Sequence, residues 1–512
     1  MKKTLLMAAI VLLGFVAQAQ NEKTLTDIGT FYLRNTGAMV DKNKDVDGYY
    51  FYYVMDKLKK GQREFAIQIL DKNLTEVAKK TYVDDKNTTL IESSFNNQNI
   101  LFLMANFDKK KMTLLTFDRQ ANQTSKVDMP LSSKEARYYQ GMIQYGMMPP
   151  ALFAVDNKGF LFSKLSDNDK MGYSLKYYSS EGGKGWEFNS PADSDEVVSI
   201  SPLEVNEKVV VALEMARPGA LSRKISTRIK VIDINTGKLL FEREYNKNAK
   251  PRFINNAFLN GDNTIVFMGE YFKEGDNVLD DKSIGLFTEV IDFSGKTLSE
   301  NFSSWDGDVS KVMKVKNGKV SDKGYVFFHD IIKTGNQHYY AIGEYFRKTA
   351  NAGGIAANIL SRGASTAGNT QLTITDAVVF HFDANFKLVS VQDFDKGTSR
   401  VSNLADFGSP QLNAHITKVM GGFDYVYTQR DPANDRFYAS FIDYERLKGE
   451  SNKFAFKSII YDDGQLSQDK IYLNSKSKEF KVLPGKVGYV LLMEYNKKEK
   501  SISLHLEKLN IK

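Results

Sequence analysis

The chain has 512 residues, with 69 Lys and Arg against 62 Asp and Glu, a formal charge of +7 and no cysteine. A near-balanced charge without a clustered basic stripe argues against nucleic-acid binding, which needs concentrated Lys and Arg facing phosphate. The missing thiols exclude disulfides, cysteine nucleophiles, thiolate zinc sites and a lipidated cysteine behind a leader.

Residues 1–20 read as a signal peptide: a basic start "MKK", the apolar core "LLMAAIVLLGFVA", and a small-x-small cleavage pattern at Ala17-Gln18-Ala19. That apolar run is too short to span a bilayer, and no later stretch reaches the length a spanning helix needs. The expectation is an exported protein, periplasmic or extracellular, that is not a lipoprotein. Residues 21–512 are expected to form a single domain.

From there the chain alternates short apolar runs with Asp, Asn, Gly and Lys punctuation, and seldom offers a sustained helical period. This pattern predicts an all-β fold. One phrase recurs, an apolar strand that closes on a polar residue: "YYVMD", "FLMAN", "FLFSK", "VVALE", "VFMGE", "YAIGE", "YVYTQ" and "VLLME". A second phrase follows each, a strand, a tight Asp/Asn/Gly turn and another strand, as in "AIQILDKNLTEVA", "TEVIDFSGKTLSE" and "VVFHFDANFKLVS". Sheets of this size cannot bury both faces alone, so copies stacked around an axis are the economical solution. Eight phrases predict a β-propeller of eight blades. Seven would follow if one phrase lay in a loop, with "FLFSK" the first suspect because it lacks the acid. The last unit stops one strand short, and the segment 24–35, "TLTDIGTFYLRN", is the expected strand that completes it and closes the ring.

Taken along the chain, "DKKKMT" at 108–113 and "NKKEKS" at 496–501 are basic but read as solvated hairpin turns. "ARYYQGMIQYGMMPP" at 136–150 reads as a loop dense in Tyr and Met. Tyr stacks on sugars and peptides and Met adapts to irregular apolar partners, so Tyr138, Tyr139, Met142, Tyr145 and Met147 are candidate ligand contacts. Packed filler is the plainer reading. The stretch "SSEGGKGWEF" at 179–188 resembles the Asp-box turn of sialidase-type propellers at Ser179, Gly183 and Trp186, with Glu181 in place of the Asp. In that family the box is a structural turn with its aromatic packed beneath. The "AQAQ" end of the leader and the Tyr- and Lys-rich body resemble an uncharacterised family of exported Bacteroidota proteins, a resemblance that implies no activity. A Gly/Ala/Ser-rich loop at 348–371 reads as a flexible insertion or a partner-docking segment.

The acids that end the repeated strand are Asp56, Glu214, Glu270, Glu344 and Glu494. A carboxylate among apolar neighbours needs a partner. The plain reading is a structural tie at the strand end, on which Glu270→Gln lowers thermal stability. The sharper reading is a ring of acids around one mouth of the disc, holding a cationic ligand. Catalytic patterns are poor. His329, His338, His381, His415 and His505 show no i,i+4 or H-x-H spacing, and no nucleophile elbow, phosphate loop or dinucleotide fingerprint is present. No metal or cofactor is expected.

The leading functional expectation is a non-catalytic, monomeric propeller that binds a protein, peptide or glycan partner in the cell envelope. The alternative is a carbohydrate-active hydrolase or lyase on the same fold, which requires two facing carboxylates in a concave mouth. An outer-membrane β-barrel fits poorly, because "VVVAL" and "YVLLM" break the alternation that lipid-facing strands need.

Overall fold

The second phrase of the repeat accounts for much of the architecture. Asp71, Asp118, Asp233, Asp292 and Asp383 each close the third strand of a sheet, and each turns its Oδ1 back onto the backbone of the following turn. Asp383, for instance, accepts from the N–H groups of Asn385 and Lys387, both at 2.9 Å, and Asp71 from those of Asn73 and Thr75, both at 2.8 Å. Near the end of each turn one residue takes a positive φ: Leu74, Ala121, Gly237, Gly295 and Phe386. A bulge in the hairpin register accompanies the turns at 71, 233, 292 and 383. At 71, 118, 292 and 383 this is the three-residue hairpin with a left-handed final position, and the turn at 233 is one residue longer. Glycine removes the strain at two of the five positions. At Leu74, Ala121 and Phe386 the side chain is instead buried in a core cluster, which offsets the cost of the left-handed backbone.

The computed structural model describes residues 22–510 apart from 42–44, 58–60, 145–147, 167–171, 181–184, 193–194, 220–221, 223–224, 246–248, 262, 353–368, 403–408, 446–452 and 474–478. The chain forms an eight-bladed β-propeller of antiparallel sheets. Blade one runs from Thr36–Val40 to Glu76–Asp85, blade two from Thr89–Phe95 to Gln123–Pro130, and blade three from Leu152–Val155 to Trp186–Asn189. Blade four runs from Val197–Val205 to Leu239–Glu244, and blade five from Arg252–Leu259 to Thr297–Ser304. Blade six starts at Tyr325–Lys333 and ends at Leu388–Phe394, with Ser399–Ser402 paired to its long third strand, Thr370–Phe382. Blade seven runs from Tyr425–Asp431 to Gln465–Leu473. In blade eight, Phe480–Pro484, Tyr489–Asn496 and Ser501–Lys508 are completed by Glu22–Leu25, which pairs with the last strand from Glu22 opposite His505 to Leu25 opposite Ile502.

Two expectations change in detail. The completing strand is Glu22–Leu25 rather than the whole of 24–35. Beyond it Thr30 makes an isolated bridge to Val54, and Leu33–Asn35 forms a 3-10 turn. "FLFSK" is a true second strand, Gly159–Ser166, whereas "YVYTQ" belongs to the first strand of blade seven. The second strand there is Arg436–Glu445, which carries its acids at Asp443 and Glu445. The count of eight therefore stands on a different set of phrases.

The chain divides into two compact units. One, made of residues 1–104, 114–127 and 474–512, holds blades one and eight and most of blade two. Its two cores are built from aromatic strands such as Tyr49-Tyr50-Phe51-Tyr52-Tyr53, whose alternate residues feed opposite clusters. The other, residues 105–113 and 128–473, holds blades three to seven, and its cores lie between consecutive sheets. Val266 and Met268 of blade five pack with Phe328, Tyr345 and Phe380 of blade six, while Ile265 and Phe267 on the opposite face pack with Val211 and Leu213 of blade four. Burial on both faces is why the second strands read as near-continuous apolar runs, and why the fourth strands, such as Leu388–Phe394, are largely exposed.

Among the described residues, two full helices interrupt this β pattern, both in the second unit: α1, Ser133–Gln144, and α2, Pro410–Val419. α1 replaces the loop expected at 136–150. It starts with a capping box in which Glu135 N–H donates to Ser132 Oγ at 3.1 Å and Ser132 N–H donates to Glu135 Oε2 at 2.8 Å. α2 starts at Ser409, whose Oγ accepts from the Leu412 N–H at 3.2 Å, with Pro410 at the first helical position, and it stops at the Gly421-Gly422 pair.

Candidate functional site

α1 is fastened to blade three. Lys164 Nζ lies 2.8 Å from Glu135 Oε1, and the Tyr139 hydroxyl accepts from the Leu165 N–H at 3.0 Å. α2 lies against the first strands of neighbouring blades: His415 meets Phe253 of blade five edge-on at 5.7 Å, and Ala414 joins the cluster of Phe327 and Phe346 in blade six. Between α1, the first strands of blades three and four and the last turn of α2 lies a cavity of about 450 Å³. Its walls are apolar, with Tyr138, Pro149, Pro150, Phe153 and Met215 among them, and no Asp or Glu lines it. Such a volume falls within the usual range for small-ligand pockets, about 300–1,000 Å³.

Two of the polar groups that line the cavity come from α2. His415 is buried, its Nε2 has no hydrogen-bond partner, and burial pushes its pKa down to about 4, so it is neutral at physiological pH. One turn on, Lys418 lines the same cavity with its Nζ 4.6 Å from the centre of the Tyr425 ring. Burial pushes its pKa down to about 8, against the pull of Asp330 and Glu344, and no described carboxylate forms an ion pair with it. Lys164 also reaches the wall, but its charge is taken up by Glu135.

The residues singled out from sequence divide sharply. Tyr138 and Tyr139 line the cavity, Met142 lies on α1 but is not part of the lining, and Tyr145 and Met147 lie outside the described residues. None of Glu214, Glu270, Glu344 and Glu494 lines the cavity. All four are buried. Glu214 accepts from the Tyr173 hydroxyl at 2.6 Å and pairs with Arg228 at 2.9 Å. Glu344 lies 3.0 Å from His329 Nε2 and 3.1 Å from Lys396 Nζ, and accepts from the Tyr425 N–H at 3.0 Å. Glu270 has the Ser283 hydroxyl at 3.1 Å and a bare Oε2. Glu494 lies 3.8 Å from His505 Nε2. The side chain of Asp56, Glu181 and Gly183 of the Asp-box-like turn, and most of the 348–371 loop lie outside the described residues. Trp186 of that turn stacks on Tyr177 and donates its indole N–H to Ile234 O of blade four at 2.6 Å.

Two features escaped the sequence reading. α2 supplies the buried unpartnered nitrogen of His415 and the cation of Lys418, and its signal was present: Ser-Pro at the start and Gly-Gly at the end of a helix-length segment. His338 and His381 meet across adjacent strands, Nδ1 to Nε2 at 2.7 Å, with His381 stacked on Tyr340. Cross-strand pairs are invisible to i,i+4 searches. A second, polar cavity of about 500 Å³ in blade five contains Asp276, Asp280, Asp281 and Asp306. Each of these holds its own loop, as where Asp281 Oδ2 accepts from the Asn277 N–H at 2.8 Å and Asp306 Oδ1 from the Asn317 N–H at 3.3 Å. Among the described residues no three metal-ligating side chains converge.

Compared with known proteins, residues 1–510 match the model of a Family of unknown function (DUF6770). No curated protein matches the chain. Solved structures similar to it include prolyl oligopeptidase B from Galerina marginata, at 10% identity over 86% of this chain and 55% of that one, with a TM-score of 0.33. This chain therefore spans about half the length of that protein. The β-propeller domain of the Trilobed protease from Pyrococcus furiosus is similar at 14% identity over 73% of this chain and 100% of that one, TM-score 0.30. The N-terminal domain of Nup159 is similar at 8% identity over 95% of each chain, TM-score 0.29.

Proposed function

The chain belongs to that family of unknown function, and we propose that it acts as a non-catalytic binding module whose cavity between α1 and α2 takes an apolar segment of a peptide or protein partner. One observation carries this reading: the cavity has ligand-sized volume and an almost wholly apolar wall on scaffold-held elements. A glycan would bring many hydroxyls into a place with few partners for them, at a cost of several kcal/mol, about 1–3 for each unpaired group. An apolar side chain leaves no such debt. A hydrolase reading needs facing carboxylates, and the cavity wall has none. The leader at 1–20 supports an exported protein, so the partner belongs to the envelope or the medium. N-terminal sequencing of the exported protein should begin within the two residues that follow Ala19, and a retained Met1 would remove that part of the reading.

Selection from a random peptide library tests the binding role, with Ser201→Trp as the control because Ser201 lines the cavity and the indole fills it. Wild-type protein should enrich peptides rich in Leu, Phe or Met that the variant does not retain. Equal enrichment by both proteins, or preferential retention of oligosaccharides by the wild type, would overturn it.

A further inference from the structure

The apolar cavity has one polar corner, and its chemistry is specific. His415 and Lys418, three residues apart on α2, both reach the wall; one offers a buried nitrogen with no partner, the other an ammonium with no ion pair among the described residues. Leaving a buried nitrogen unmatched costs about 1–3 kcal/mol, and a half-buried cation without a counter-charge costs more. The surrounding groups do not supply the missing charge. Glu344 is engaged by His329, Lys396 and the Tyr425 N–H, Glu135 is engaged by Lys164, and the near face of Lys418 is covered by the Tyr425 ring. Asp330 acts on Lys418 through space without an ion pair to it.

We propose that the bound segment is a free chain terminus, whose C-terminal carboxylate docks between Lys418 Nζ and His415 Nε2 while its last apolar side chains fill the cavity. Resting on the binding role proposed above, it names the ligand. Three features fit one another. The carboxylate supplies the counter-charge at Lys418. Its second oxygen accepts from Nε2–H, with the proton of the neutral His415 ring held on that nitrogen by the bond. The wall formed by Pro149, Pro150 and Phe153 receives the apolar residues. An internal segment would place an amide at this corner and leave the cation unmatched.

The test uses the full mature chain and a panel of N-acetylated tripeptides ending in Leu, Ile, Val, Phe or Met, each as the free acid and as the amide, with decanoate alongside. Binding is read by calorimetry. The best acid should bind at least tenfold more tightly than its amide. Lys418→Met should abolish that preference by weakening the acid at least tenfold. Equal binding of acid and amide by wild type overturns the terminus assignment but leaves the cavity's binding role standing, provided Ser201→Trp removes both. Decanoate binding more tightly than every tripeptide acid overturns the peptide terminus in favour of a free apolar acid. If no panel member binds wild type better than Ser201→Trp, the binding role fails together with its refinement. The acid-to-amide comparison on wild type stands by itself should Lys418→Met fold poorly.

Discussion

Blades five and six carry the same four residues, Gly-Glu-Tyr-Phe, at 269–272 and 343–346 on their second strands, and they treat the carboxylate in opposite ways. In blade six, Glu344 meets a lysine, a histidine and a backbone N–H. Those donors outweigh burial and hold its pKa below the ordinary carboxylate value, so it is ionised in the folded protein. In blade five, Glu270 has only neutral neighbours among the described residues, the Ser283 hydroxyl and the Gln411 amide, and burial pushes its pKa up to about 8. It is protonated at neutral pH. The same phrase therefore gives a buried anion in one blade and a buried neutral acid in the next. The difference lies in what other segments bring: Lys396 and Tyr425 reach Glu344, and among the described residues no cation pairs with Glu270.

The largest expected effect comes from breaking the charged copy. Glu344→Ala leaves Lys396 buried beside Asp424 and strips His329 of its partner. Loss of one member of a buried ion pair costs about 3–5 kcal/mol, and urea unfolding at pH 7 should show a midpoint shift of that order. A loss below 1 kcal/mol would mean that the network contributes little. The pH trend of this copy follows from its lowered pKa. The stabilisation is present above the unfolded-state carboxylate range and is lost as pH falls through the folded value.

Glu270→Gln inverts that sign. Because the folded pKa is raised to about 8, the wild type is at its most stable, as far as this group is concerned, below about pH 4.5. It then loses about 1.4 kcal/mol for each pH unit up to about pH 8. An amide does not titrate. The variant should therefore be close to wild type near pH 5 and gain on it steadily up to pH 8, with the difference flat above. The simple expectation from sequence, that Glu270→Gln destabilises, is replaced by stabilisation at neutral and alkaline pH. Thermal melts of both proteins from pH 5 to 9 check this, and parallel curves would show that Glu270 is ionised in the fold.

A smaller effect is expected where the two blades agree. Both close their third strands with the same Asp-led turn, at Asp292 and Asp383. Asp383→Ala removes two backbone hydrogen bonds at the surface and should cost about 1 kcal/mol, read from the unfolding midpoint. The turn keeps its shape, because Phe386 remains anchored in the core.

How much could be read in advance varies with the range of the interaction. The Asp turns and the apolar second strands are short-range features, and both were legible. The eighth blade was legible as a missing strand, though the strand that fills it is shorter than the apolar segment suggested, because the chain leaves the sheet after Leu25. The phrase at "YVYTQ" misled because an apolar-to-polar ending also occurs on a first strand. At the candidate site, Tyr138 and Tyr139 were named on composition, but His415 and Lys418 were passed over. A histidine and a lysine in a short helix carry no pattern until the helix is laid against neighbouring blades.

The sequence by itself determined the alternation of strand and turn and the places of the Asp-led hairpins, since each depends on residues a few positions apart. Only the tertiary structure decided which buried acid is charged and where an unpaired cation meets an apolar hollow. Those outcomes rest on desolvation and on partners that arrive from distant segments, at separations no local pattern encodes.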